Sequence, residues 1–138
     1  MDLQRIDPWL LSGMILVAVT AILAMLFLFF RPAPQSVTPE TARELIRDGW
    51  ISRIIDVNEP IFFHEGSYSN SVHILIKDLV KELPRLVRNH SHSILFYDNE
   101  GGGRAAYAGL LAQDLGYTNI RYLRYGTYKD LEETRLVY

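Results

Sequence analysis

A chain of 138 residues has room for one folded domain and one further element. Its formal charge of −2 leaves no surplus of cations for phosphates, which excludes a general nucleic-acid binder. The absence of cysteine excludes disulfides, iron–sulfur clusters, cysteine-bearing zinc sites and every cysteine-nucleophile mechanism.

Residues 1–8 read as a short tail. Trp9 to Phe30 then carries no charged residue, and its 22 residues make a helix of about 33 Å against a hydrocarbon core of about 30 Å. One transmembrane span over 9–30 is expected. Ser12 and Thr20 can bond back to the preceding turn, and Trp9, Phe29, Phe30 and Arg31 stand where aromatic and basic residues favour the membrane interface. A cleaved signal peptide would have a shorter apolar stretch and a small-x-small cleavage site, whereas this segment ends in Phe-Leu-Phe-Phe. Arg31, Arg43 and Arg47 behind the span outnumber Arg5 ahead of it, so the positive-inside bias places the C-terminal domain on the cytoplasmic or equivalent side.

Residues 31–37 read as a Pro-stiffened linker and 38–138 as the domain. Thr38-Pro39-Glu40 starts a helix, with a hydroxyl cap and proline at its first position, and Gly49 stops it. Ile51–Val57 is an apolar strand, Val72–Ile76 a second, and Lys77–Asn89 a helix that Pro84 breaks or restarts. The basic residues Lys77, Lys81, Arg85 and Arg88 on that helix read as a solvated face. Ser93–Tyr97 is a buried strand, Arg104–Leu115 a helix closed by Gly116, and Asn119–Leu123 the last strand. Strands alternating with helices imply an open parallel α/β sheet.

Asp98-Asn99-Glu100-Gly101-Gly102-Gly103-Arg104 joins a buried strand to a helix, where open α/β sheets place ligand sites. Three glycines let successive N–H groups converge, and the helix start adds partial positive charge, so the turn can cradle an anion of phosphate or sulfate type. It is neither a Walker loop nor GxGxxG. No motif calls for a cofactor. His90 and His92 lack a third ligand nearby, so no metal site is expected. His64, Glu65 and His73 read as loop or strand-end residues, and Asp56 as a hydrogen-bonding residue supporting the adjacent loops. Tyr117, Tyr122, Tyr125, Tyr128 and Tyr138 cluster toward the C-terminus as interface or core-covering residues.

Several of these pieces, in order over about residues 37 to 131, resemble the rhodanese-like family. Asp56-Val57-Asn58-Glu59-Pro60 is similar to the family's Asp-Val-Arg-Glu-Pro, and Gly66 to Ile74 resembles its Gly-His-Ile-Pro-Gly-Ala segment with the following strand. Phe96-Tyr97-Asp98, with Gly101 and Arg104 behind, resembles the Tyr-Cys-x-x-Gly-x-Arg loop. Leu115-Gly116-Tyr117-Thr118-Asn119-Ile120 matches the Gly-Tyr-x-Asn-Val signature, and Tyr125-Gly126 stands where a Gly-Gly pair is usual. The resemblance implies the family's sheet, and sulfur carried as a persulfide on the loop cysteine. That position is Asp98, which cannot form a persulfide, while Asn58 replaces the usual Arg and Ser67 the usual His.

The expected protein is therefore a single-pass, membrane-anchored rhodanese-like pseudoenzyme, an accessory subunit partnered by the bilayer and other membrane-complex subunits. The alternatives are a tethered anion sensor using 98–104, or a phosphatase using Asp98 as nucleophile. The five residues between Asp98 and Arg104 match the Cys-x5-Arg loop of phosphatases that share the fold. Against it, Asp98 and Glu100 would repel phosphate, and Arg104 is expected to pair with one of them.

Overall fold

The computed structural model describes residues 5–30 and 33–132, which divide into two compact units meeting between Ala33 and Pro34. In the first, α1 (Pro8–Phe29) is capped by Asp7, whose carboxylate accepts the Trp9 N–H at 3.1 Å. Ser12 Oγ donates to Pro8 O and Thr20 Oγ1 to Leu16 O, each at 2.8 Å, so both hydroxyls are satisfied within the helix. Apolar side chains surround the helix and none is buried, the pattern of a helix whose surface is covered by something other than water. It is long and apolar enough to cross a membrane. Trp9, Phe29 and Phe30 are exposed at its ends, and Arg31 lies outside the described residues.

The second unit is an open parallel sheet of five strands, β1 (Gln35–Val37), β2 (Arg53–Asp56), β3 (Ser71–His73), β4 (Ile94–Tyr97) and β5 (Ile120–Leu123). Their order is β1-β5-β4-β2-β3. β4 lies at the centre and is buried at all four positions. Its residues alternate between two cores. Ile94 and Phe96 meet Leu79, Leu83, Ala105 and Ala108 from α4 (Ile76–Leu86) and α5 (Gly103–Asp114). Leu95 and Tyr97 meet Val37, Ala42, Leu123 and Leu131, which brings in α2 (Pro39–Arg47) and α6 (Tyr128–Leu131) on the other face. A continuous apolar run is what a strand covered on both faces requires.

Three local expectations change. Gln35–Val37, read as linker, forms β1: Gln35 and Ser36 are exposed, but Val37 is buried and aligns with Leu123 of β5. An edge strand gains its backbone partner from one side and needs little apolar sequence. Pro84 does not break its helix, because it stands in the last turn and removes only one N–H; Val87 N–H still reaches Leu83 O at 2.8 Å. The segment read as a strand over Val72–Ile76 is strand only over Ser71–His73, and Ile76 already starts α4. Two short helices, α3 (Pro60–Glu65) and α6, had no counterpart in the sequence reading.

Candidate functional site at the carboxyl end of the sheet

β2 and β4 run parallel with Asp56 opposite Tyr97, so the chain leaves both strands side by side. Asp56, which ends β2, and Asn58 and Asp98, which follow the two strand ends, are all buried. Burying carboxylates is costly unless every oxygen is bonded, and here each is.

Asp98 faces into its own loop. Its Oδ1 accepts the N–H of Glu100 at 2.8 Å and of Gly102 at 2.9 Å, and its Oδ2 accepts the N–H of Ala105 at 2.9 Å. The last donor lies in the first turn of α5, where N–H groups have no partner inside the helix. The N–H groups of this turn thus converge on the Asp98 carboxylate. Gly102 is required for this curl: its φ is +104°, and a Cβ there would lie 2.6 Å from Leu123 O.

Asp56 is bonded across the sheet. Its Oδ1 accepts the Asn58 N–H at 2.8 Å and Asn58 Nδ2 at 2.7 Å, and its Oδ2 accepts the Tyr97 hydroxyl at 2.7 Å. The same hydroxyl accepts the Tyr68 N–H at 2.9 Å and lies 3.1 Å from Ser71 Oγ. Burial of the Tyr97 ring is the main reason its hydroxyl is held well above the usual tyrosine range. Asn58 Oδ1 accepts the Asn99 N–H at 2.8 Å, and Asn99 Oδ1 accepts the Tyr128 N–H at 3.0 Å. The network therefore runs from Tyr68 through Tyr97, Asp56, Asn58 and Asn99 to α6. Asp56 supports the adjacent loops as its position suggested.

Arg104 pairs with Glu100, one of the two acids expected, and more closely with Glu59. Its Nη2 donates to Glu59 Oε1 at 2.8 Å and its Nε forms a longer ion pair with Glu100 Oε2 at 4.0 Å, while Asp98 is taken by backbone donors. Asp98 and Glu100 do not act as a pair, since one is buried and the other exposed. Of the predicted loop residues, Asp98, Asn99 and Gly102 are joined by bonds to one another's surroundings. Gly101 accepts the Tyr125 N–H at 3.2 Å through its carbonyl, and Gly103 opens α5.

Glu59, Tyr68 and Tyr97 belong to this site without a role in the sequence reading, whereas Asn58 stands where the resemblance places an Arg. The available signal was a tyrosine at the end of an otherwise aliphatic strand, since a buried phenol needs an acceptor. The histidines scatter. His73 Nε2 lies 2.7 Å from Asn58 O with its ring stacked on Phe63 at 4.0 Å, whereas His90 packs on Tyr117 at 4.5 Å, by the opposite end of the sheet. No grouping of three metal-ligating residues occurs among the described residues. The tyrosines divide too: Tyr117 is buried, Tyr122 and Tyr128 half-buried, Tyr125 exposed, and Tyr138 outside the described residues.

An all-parallel open sheet, with a ring of N–H donors closing the loop after its central strand, defines an anion-cradle α/β domain whose anion here is a side chain of the chain itself. The chain belongs to the rhodanese-like domain family, whose model matches residues 38–132. Among solved structures it is similar to the human single-domain sulfurtransferase at 23% identity, over 72% of this chain and 95% of that one, with a TM-score of 0.57. A single-domain sulfurtransferase of Saccharomyces cerevisiae is 21% identical over 72% and 89% of the two chains, TM-score 0.54. A Rhodopseudomonas palustris protein of unknown function, described as a possible tyrosine phosphatase, is 22% identical over 67% and 76%, TM-score 0.58. Identities at this level establish the shared fold. No curated protein matches the chain.

Proposed function

We propose that the protein is a membrane-anchored rhodanese-like pseudoenzyme that serves as a structural or interaction subunit of a membrane-associated complex. The observation that carries this reading is the Asp98 carboxylate, buried and bonded to three backbone N–H groups of its own loop. Sulfur transfer needs a thiolate there, and the chain has no cysteine at any position. Phosphate capture would need the same N–H groups that Asp98 already engages, and a nucleophilic role would need a carboxylate oxygen open to substrate. With α1 retained as the anchor, the domain is held at the membrane on the cytoplasmic or equivalent side, where its surface can be recognised by neighbouring subunits.

The test is purification of the full chain in mild detergent followed by mass spectrometry of what accompanies it, with thiosulfate turnover assayed on the same sample. Stoichiometric membrane subunits and no turnover are expected. A chain that purifies alone, or that turns over thiosulfate, ends the proposal. For the sensor alternative, phosphate, sulfate and thiosulfate at millimolar concentration should leave the amide NMR signals of residues 98–104 unmoved.

A further inference from the structure

At the amino end of the sheet, opposite the Asp98 loop, three loops are stitched into one face. Arg53 N–H donates to Ser93 O at 3.1 Å, Ile94 N–H to Asn119 O at 3.0 Å, and Thr118 N–H to His90 O at 3.0 Å. On this face Trp50 is 68% exposed. Its backbone is nevertheless fixed, because it follows the left-handed Gly49 and its N–H donates to Leu45 O at 2.9 Å. A tryptophan on a fixed backbone whose side chain is left largely in water contributes little to the domain's own core.

The same face carries a small excess of arginine. Arg53 and Arg88 are exposed and make no ion pair among the described residues, while Arg47 pairs with the adjacent Asp48 at 3.4 Å. Asp48 and Asp114, near the ends of α2 and α5, are acids of the same end, and Glu82 near the end of α4 is paired with Arg85 at 3.7 Å. The opposite end carries exposed charges of both signs, Glu59, Glu65 and Glu100 with Lys77, Arg124 and Lys129.

The length of the connection limits how far this end can lie from the anchor. All strands are parallel, so Gln35, where the chain enters β1, starts at this same end. Only four residues separate Phe30, at the end of the apolar segment, from Gln35. Fully extended, that connection reaches no more than about 18 Å, so a membrane holding the anchor keeps this end of the sheet within reach of its headgroups. Tryptophan prefers that layer, and each arginine near an anionic surface adds attraction.

We propose that the amino-end face, centred on Trp50 with Arg53 and Arg88, docks on the headgroup layer of an anionic bilayer. The proposal rests on the reading of α1 as a retained anchor, and the chain's two tryptophans separate the two ideas. The full chain is reconstituted in nanodiscs of phosphatidylcholine with or without phosphatidylglycerol. With Trp9→Phe, Trp50 is the sole indole. Its emission should shift to the blue and be quenched by headgroup-proximal nitroxide lipid in the anionic discs, with both effects reversed by high salt. Replacing Arg53 and Arg88 together by glutamine should weaken docking by roughly thirtyfold at low salt. An indole equally open to aqueous iodide in both kinds of disc overturns the proposal, including the case in which a protein rather than lipid covers that face. With Trp50→Phe, Trp9 reports the anchor, and quenching by lipid nitroxide is expected. A Trp9 that lipid does not quench overturns the anchor reading and the docking with it, whereas a quenched Trp9 beside an unquenched Trp50 overturns the docking alone.

Discussion

The carboxyl ends of β2 and β4 each bury one aspartate, Asp56 as the last residue of β2 and Asp98 as the first after β4, and the two are satisfied in different ways. Asp98 bonds only to backbone N–H groups between Glu100 and Ala105, within seven residues of itself. Asp56 reaches Tyr97, 41 residues away, and through Asn58 holds the Asp98 loop as well. One carboxylate shapes a turn; the other ties strands and loops that are distant in the chain. Changes at Asp98 should therefore collapse one loop, and changes around Asp56 should loosen the whole carboxyl end.

The largest effect is expected at Asp98. Asp98→Ala leaves three N–H donors in a buried turn without an acceptor, and the cost should be about 3–5 kcal/mol in denaturant unfolding. If the loop is an anion cradle with a tethered occupant, formate or acetate should restore part of that loss in the variant and do nothing for the parent chain. A loss that no small carboxylate reverses would show that Asp98 is held by packing rather than by its donors. Gly102→Ala tests the same turn from the backbone side. Its Cβ would meet Leu123 O in a left-handed conformation, so a loss of about 2–3 kcal/mol is expected in the same measurement.

The network around Asp56 responds to Tyr97→Phe. The ring stays, but Asp56 Oδ2 and the Tyr68 N–H lose their partner, and about 1–3 kcal/mol should follow. A pH signature separates this effect from simple repacking. Because the folded Tyr97 hydroxyl is held above its ordinary value, chiefly by burial, the folded chain keeps a proton that the unfolded chain releases above about pH 10. That contribution is complete below the unfolded value and is lost as pH rises beyond it, so stability should fall on the alkaline side. Tyr117, raised by burial as well, contributes to the same fall and keeps part of it in the variant. Tyr97→Phe should make the decline shallower; an unchanged slope would remove Tyr97 from the account.

How far these features could be read from the residues follows from the same contrast. β2 and β4 were legible because strands covered on both faces must be continuously apolar, and the α2 boundary because Thr38, Pro39 and Gly49 each have one local use. The 98–104 loop was legible as a turn of converging N–H groups, since three glycines and a following helix are local signals. Their acceptor was not, because backbone donors are the same in every sequence and only the fold shows where they point. β1 was missed because two of its three residues are polar and exposed. α6 left a trace in Thr127 and Asp130, which form a capping box, but four residues are too few for periodicity to register. The Glu59 partner of Arg104 lies 45 residues away, and charge type alone could not choose it over Glu100.

That ion pair also gives the smallest expected effect. Glu59 immediately precedes α3 and Arg104 lies in the first turn of α5, so the pair bridges the segments beside both buried aspartates from outside. Its side chains are 54% and 29% exposed, and solvent screening limits such a pair to about 0.2–1 kcal/mol. Arg104→Gln should lower stability by no more than that, and the difference should shrink as salt is added. A double-mutant cycle with Glu59→Gln measures the coupling directly. Should the cycle return several kcal/mol, the charge pair rather than the inward carboxylates would be what holds the site together. The ordering of effects, from Asp98 through Tyr97 to Arg104, would then have to be reversed.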